Sequence, residues 1–117
     1  MLWSPLNVNV WFYRKPIDFR KQIDGIVILV ADTLAMDPTS GQLFIFRNKL
    51  SDKIKLLWWE GDGFCLMYKR FEKARLKFPG IQDNTMALTT RQLQWLLSGI
   101  DFTDQSQAQR VKVTRFF

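Results

Sequence analysis

Ile54-Lys55-Leu56-Leu57-Trp58-Trp59-Glu60-Gly61-Asp62-Gly63-Phe64-Cys65-Leu66-Met67-Tyr68-Lys69 is the stretch that decides the fold. Two runs rich in strand-forming residues flank Gly61-Asp62-Gly63, and glycines at that point supply the backbone freedom a hairpin turn needs. Ile54–Trp59 and Phe64–Lys69 are therefore expected to be antiparallel neighbours. Upstream, Asn48 to Asp52 reads as a short polar loop and Leu43-Phe44-Ile45-Phe46 as a third strand. A three-strand meander follows.

Further out, Asn7-Val8-Asn9-Val10-Trp11-Phe12-Tyr13 alternates at first and reads as another strand, broken by Arg14-Lys15-Pro16. Asp18 can cap a helix, and Phe19, Ile23, Ile26, Val27, Val30 and Leu34 trace one helical face. That helix has to stop by Asp37, because Pro38 disfavours a helical residue before it. Gly25 inside it costs about 1 kcal/mol relative to Ala, which close packing would explain. Arg70 to Lys77 continues the last strand or turns over the sheet edge, and Pro79-Gly80 breaks the chain. Thr89 and Gln92 form a capping box ahead of Leu93, Leu96, Leu97 and Ile100, with Gly99 at the helix end. The expectation is one α+β domain over 1–101 in the order β-α-β-β-β-α, with an antiparallel sheet of about four strands, one long helix and one short. A polar tail over 102–117 follows it.

Composition excludes much chemistry. The 117 residues are 47% hydrophobic and 24% charged, so a core forms without metals or disulfides. There is no histidine and only one cysteine, Cys65. Imidazole-based nucleophile pairs, zinc helices, redox Cys pairs and disulfides are all absent from the toolkit. No run approaches the roughly 20 apolar residues that span a bilayer, and Met1-Leu2-Trp3-Ser4-Pro5 does not look like a secretory signal, so a cytosolic location is expected. Asp24, Asp32, Asp37, Glu60, Asp62 and Asp101 show no convergent spacing for a two-metal site, and no cofactor motif is present.

Charge is the first positive signal. Arg47, Lys49, Lys53, Lys55, Lys69, Arg70, Lys73, Arg75 and Lys77 fall in one stretch opposed only by Asp52, Glu60, Asp62 and Glu72, so most of the net +6 resides there. Aromatic residues interleave them, a mixture suited to phosphate contact and base stacking. The plainer alternative is that strand lysines blunt a sheet edge and keep the chain soluble. A second signal is the cluster Arg14, Lys15, Arg20 and Lys21 around the start of the expected long helix, where the dipole disfavours cations unless an anion sits between them. Pairing of Arg20 and Lys21 with Asp18 and Asp24 is the competing account. Trp58 and Trp59 point to opposite faces of their strand, so one of them is either covered by a helix or open to a partner.

The segments Asp18-Phe19-Arg20-Lys21-Gln22-Ile23-Asp24-Gly25, Asp37 to Asn48, Ile54 to Leu66, Lys69-Arg70-Phe71-Glu72 and Leu88 to Asp101 resemble a known family. It is the TnpB-type accessory protein, the second open reading frame, of bacterial insertion sequences of the sixty-six family. The Lys-x-Leu-x-Trp-Trp-x-Gly-x-Gly core is its specific mark, and the likeness runs from about Val8 to Ile100. Phe19, Gln22 and Thr90 depart from the family's usual Met, Gly and Pro, and the tail from Phe102 onward, ending Arg115-Phe116-Phe117, is expected to match nothing in it. The resemblance implies a role in DNA transposition beside a separate transposase that carries out the strand transfer, and it does not imply an enzyme.

Two readings stand. In the first, a non-enzymatic accessory factor holds DNA at element ends through Arg14, Lys15, Arg20, Lys21, Arg47, Lys55, Lys69, Arg70 and Arg75. In the second, a protein adapter docks on the transposase through Trp58, Trp59 and Phe116-Phe117 without touching DNA.

Overall fold

The structure, a computed structural model, describes residues 8–73 and 84–98. Five strands are present: β1 Val10–Tyr13, β2 Leu43–Arg47, β3 Lys53–Trp59, β4 Phe64–Arg70 and β5 Thr85–Leu88. Helix α1 covers Ile23–Ile28 and runs on into a π-helical turn at Leu29–Thr33, and helix α2 covers Thr90–Leu97. The α+β class holds.

The sheet is larger and more mixed than expected. Its order is β4-β3-β2-β1-β5. β2, β3 and β4 form the antiparallel meander, with Phe44 opposite Leu57 and Trp59 opposite Phe64. β1 joins β2 in parallel, so the α1 segment is a crossover connection. β5 lies antiparallel to β1 on its far side, with Tyr13 opposite Thr85. The four-strand antiparallel sheet is thus corrected to five mixed strands. Thr85-Met86-Ala87-Leu88 is too short to announce itself as a strand.

Alternation along the strands builds two cores. One face carries Val10, Phe12, Leu43, Ile45, Ile54, Leu56 and Trp58 against Leu93 and Leu96 of α2. The opposite face carries Tyr13, Phe44, Phe46 and Leu57 against Ile26 and Val30 of the α1 segment. Leu43 through Phe46 are fully buried because β2 is covered on both sides, which is why its sequence is a continuous apolar run. Each such side chain contributes roughly 1.5–3 kcal/mol of burial. Trp58 and Trp59 answer to this arrangement: one lies under α2, the other on the α1 face.

Local signals meet the structure unevenly. The capping box is present: the Thr89 hydroxyl accepts from the Gln92 N–H at 3.1 Å and the Thr89 N–H donates to Gln92 Oε1 at 2.9 Å. The hairpin closes through the Glu60 N–H to the Gly63 carbonyl at 2.9 Å, and Gly61 takes a positive φ of 92° that suits glycine. The long helix, however, begins at Ile23, with Gln22 as an N-cap that makes no side-chain bond. Asp18 organises a turn ahead of it, its carboxylate accepting the Arg20 N–H at 2.9 Å and its carbonyl the Lys21 N–H at 3.0 Å. A Cβ on Gly25 would meet the Lys21 side chain at 3.4 Å, so the close neighbour of this glycine is that same turn. The expected tail and Pro79-Gly80 lie outside the described residues.

Candidate nucleic-acid interface

Strand direction sorts the charges. Register places Tyr13, Arg47, Lys53, Arg70 and Thr85 at one end of the sheet. The Arg14 N–H to the Asn84 carbonyl (2.7 Å), the Ile17 N–H to the Arg47 carbonyl (3.0 Å) and the Phe71 N–H to the Asp52 carbonyl (2.7 Å) tie that end together. Arg14, Lys15, Arg20, Lys21, Arg47, Lys49, Lys53, Lys69, Arg70 and Lys73 all gather there, with Asp18, Asp24, Asp52 and Glu72 among them. The opposite end carries the Asp37–Gln42 loop, the Glu60–Gly63 hairpin and the start of α2. The described residues are therefore electrically polar along the strands.

Within the basic end the residues divide by what holds them. Lys15, Arg20, Lys21, Lys49, Arg70 and Lys73 are exposed. Arg20 makes a 2.6 Å ion pair with Asp18, and Arg70 a 2.7 Å pair with Glu72. The Arg20 guanidinium, helped by its backbone N–H, holds the Asp18 carboxyl down from the usual 3.8 to about 2. These pairs are solvent-exposed and weak, so either cation can exchange its carboxylate for a phosphate at little cost. The same pairing removes the conflict with the helix dipole, and α1 starts two residues beyond Lys21.

Arg47 and Lys69 brace the end while facing it. Arg47 Nε donates to the Arg14 carbonyl at 2.6 Å and Nη1 to Ser51 Oγ at 3.1 Å, which fixes the β1 exit against the β2–β3 turn. Lys69 Nζ donates to the Leu97 carbonyl at the end of α2, a favourable place for a cation, and lies 5.2 Å from the Phe71 ring centroid. Asn48 closes the turn between β2 and β3, its side-chain oxygen accepting the Asp52 and Lys53 N–H groups at 3.1 and 3.0 Å.

Two expected contact residues, Lys55 and Trp58, are placed in the interior. Lys55 is 3% exposed, on the α1 face, and its ammonium donates at 2.8 Å to the carbonyls of both Phe19 and Lys21. It belongs to the interior because β3 is covered on both sides, and burial pulls its pKa down. Trp58 is 7% exposed in the core under α2, with Nε1 donating to Glu60 Oε1 at 2.8 Å. Trp59 is half-buried and meets Phe64 edge-on at 4.9 Å between ring centroids. The sheet is not one-sided, so Trp58 is enclosed, while Trp59 keeps part of its surface open. Arg75 lies outside the described residues, as do Asp101 and Phe116-Phe117. Lys49 and Lys73, outside the expected contact set, also lie exposed at this end; their signal is position beside a turn, where a lysine has no core to enter.

Among the described residues no three Cys, Asp or Glu side chains gather at metal-binding distance, and no helix is long and apolar enough to cross a membrane.

A small α+β protein with one basic end to a mixed sheet is the class defined so far. The chain belongs to the IS66 Orf2-like proteins, whose family model matches residues 8–107. It is 34% identical over 110 residues to the uncharacterized protein y4hO of Sinorhizobium fredii, covering 94% of this chain and 96% of that one. It is also 34% identical over 103 residues to the uncharacterized protein y4jC of the same organism, covering 88% of each. No solved structure matches. Membership in this family makes the chain an accessory protein of a transposable element.

Proposed function

We propose that this protein is a non-enzymatic, cytoplasmic DNA-binding factor that assists a separate transposase at the ends of its element. The observation that carries the reading is the convergence of Lys15, Arg20, Lys21, Lys49, Arg70 and Lys73, exposed, on one end of the sheet from three separate chain segments. Cations at such a face neutralise phosphates and release condensed counterions, which gives affinity that falls steeply with salt. Arg14, Arg47 and Lys69 hold that face together from behind. The adapter reading is the weaker one for Trp58, which lies in the core under α2, whereas Trp59 stays half-buried.

The test is binding of the purified chain to labelled duplex DNA over a salt series, with element-end and random sequences compared. Binding with a steep salt slope and preference for the element end is the expected result. A steep slope without preference would leave sequence choice to the transposase. No binding near physiological salt would overturn the reading, and the transposase would be the next bait.

A further inference from the structure

The outer edge of β4, which runs into the basic end at Arg70, is an open side of the sheet among the described residues. β4 ends the sheet, and among the described residues no strand lies beyond it. Two hydrogen bonds fix which of its groups face outward. The Glu60 N–H reaches the Gly63 carbonyl at 2.9 Å and the Phe71 N–H the Asp52 carbonyl at 2.7 Å, so the odd-numbered residues of this strand bond to β3. The main-chain N–H and C=O of Phe64, Leu66, Tyr68 and Arg70 therefore point away from the sheet.

Among the described residues that edge lacks the usual protection. Natural edge strands are short, kinked, or carry proline and charge in their middle. β4 spans seven residues, and Phe64-Cys65-Leu66-Met67-Tyr68 contains neither charge nor proline. Tyr68 is 51% exposed.

We propose that the occupant is a second copy of this chain, paired antiparallel through β4 to make one continuous sheet across a two-fold axis at Leu66. The argument is charge complementarity. β4 leaves the acidic hairpin of Glu60 and Asp62 and ends at Lys69 and Arg70, so its two ends carry opposite charge. Two copies side by side in parallel would set like charge against like. Antiparallel pairing about Leu66 sets Asp62 beside the Arg70 of the second copy, Phe64 opposite Tyr68, and Leu66 opposite itself. An isologous interface requires this self-complementarity. Aromatic and opposite-charge cross-strand pairs are the interactions that stabilise antiparallel neighbours. Phe64, Leu66 and Tyr68 all lie on the α1 face, so the apolar pairs would form one stripe there.

Sedimentation equilibrium of the full chain without nucleic acid tests this, and so stands apart from any outcome of the DNA assay. A reversible dimer is expected. Asp62→Lys and Arg70→Glu should each weaken it about tenfold through two symmetry-related contacts, and the double variant should regain most of the loss. Circular dichroism should be unchanged, because both positions are exposed. Tyr68→Lys provides an independent weakening on the exposed face. A monomer at tens of micromolar, a closed trimer, or a double variant no tighter than the singles would overturn the proposal.

Discussion

Lys55 and Phe19 hold each other twice: the Lys55 ammonium donates to the Phe19 carbonyl at 2.8 Å and lies 5.0 Å from the centroid of the Phe19 ring. The same ammonium also donates to the Lys21 carbonyl at 2.8 Å. A buried cation from β3 thereby grips both sides of Arg20, whose side chain is 91% exposed. The other face of the Phe19 contact is Tyr68, edge-on at 6.2 Å. Thus a residue that never reaches solvent sets the position of two that do.

Lys55→Met keeps the length of the side chain and removes both hydrogen bonds. It leaves two carbonyls without their charged donor, and a loss of about 1–3 kcal/mol in unfolding free energy is expected. Chemical denaturation measures that loss. DNA affinity should fall as well, because the Phe19–Lys21 turn is no longer held; unchanged affinity in a folded variant would detach Lys55 from the site.

Charge reversal separates the basic end from charge in general. Lys15→Glu with Lys21→Glu should lower DNA affinity and reduce the salt slope by roughly 0.9 for each phosphate no longer neutralised. Arg91→Glu, a reversal at the exposed start of α2 on the opposite end, should leave the slope unchanged. A salt series on both variants decides it, and equal losses would refute a localised site.

The Asp18 carboxyl, held near 2 by Arg20, should titrate well below an ordinary aspartate when followed by NMR. Its folded pKa lies below the unfolded value, so the group favours the folded turn above about pH 4. That contribution disappears as pH falls through about 2. Arg20→Gln should return the titration toward the usual 3.8, since the guanidinium hydrogen bond is its largest cause.

Thr89→Ala removes the hydroxyl that accepts the Gln92 N–H and dissolves the capping box. A loss of about 1 kcal/mol is expected, with α2 fraying at its start. Hydrogen exchange at Gln92 reads this directly, and no change in protection there would contradict the capping assignment.

Local signals carry the meander, the Gly61 hairpin and the start of α2, because each depends on neighbours a few residues apart. The start of the long helix is not legible in the same way, because Asp18 has two competing uses. It serves a turn through Arg20, and helical periodicity alone cannot distinguish that turn from a first helical turn. The basic cluster is visible as composition, yet its division is hidden. Lys55 and Arg70 look alike in sequence, and only the depth of a covered strand against its open end sends one to Phe19 and the other to solvent.

By itself, then, the sequence determined the strands of the meander, the α+β class and the family, since these rest on alternation, turn chemistry and a specific Trp-Trp-Glu-Gly-Asp-Gly motif. Tertiary structure alone decided that β1 runs parallel to β2, that β5 completes the sheet, and that Trp58 turns into the core under α2. It also decided that cations from distant segments share one end. The physical reason is that pairing direction and coverage of a sheet's second face are long-range choices, made by how α1 and α2 bury their apolar sides and not by any residue's own preference.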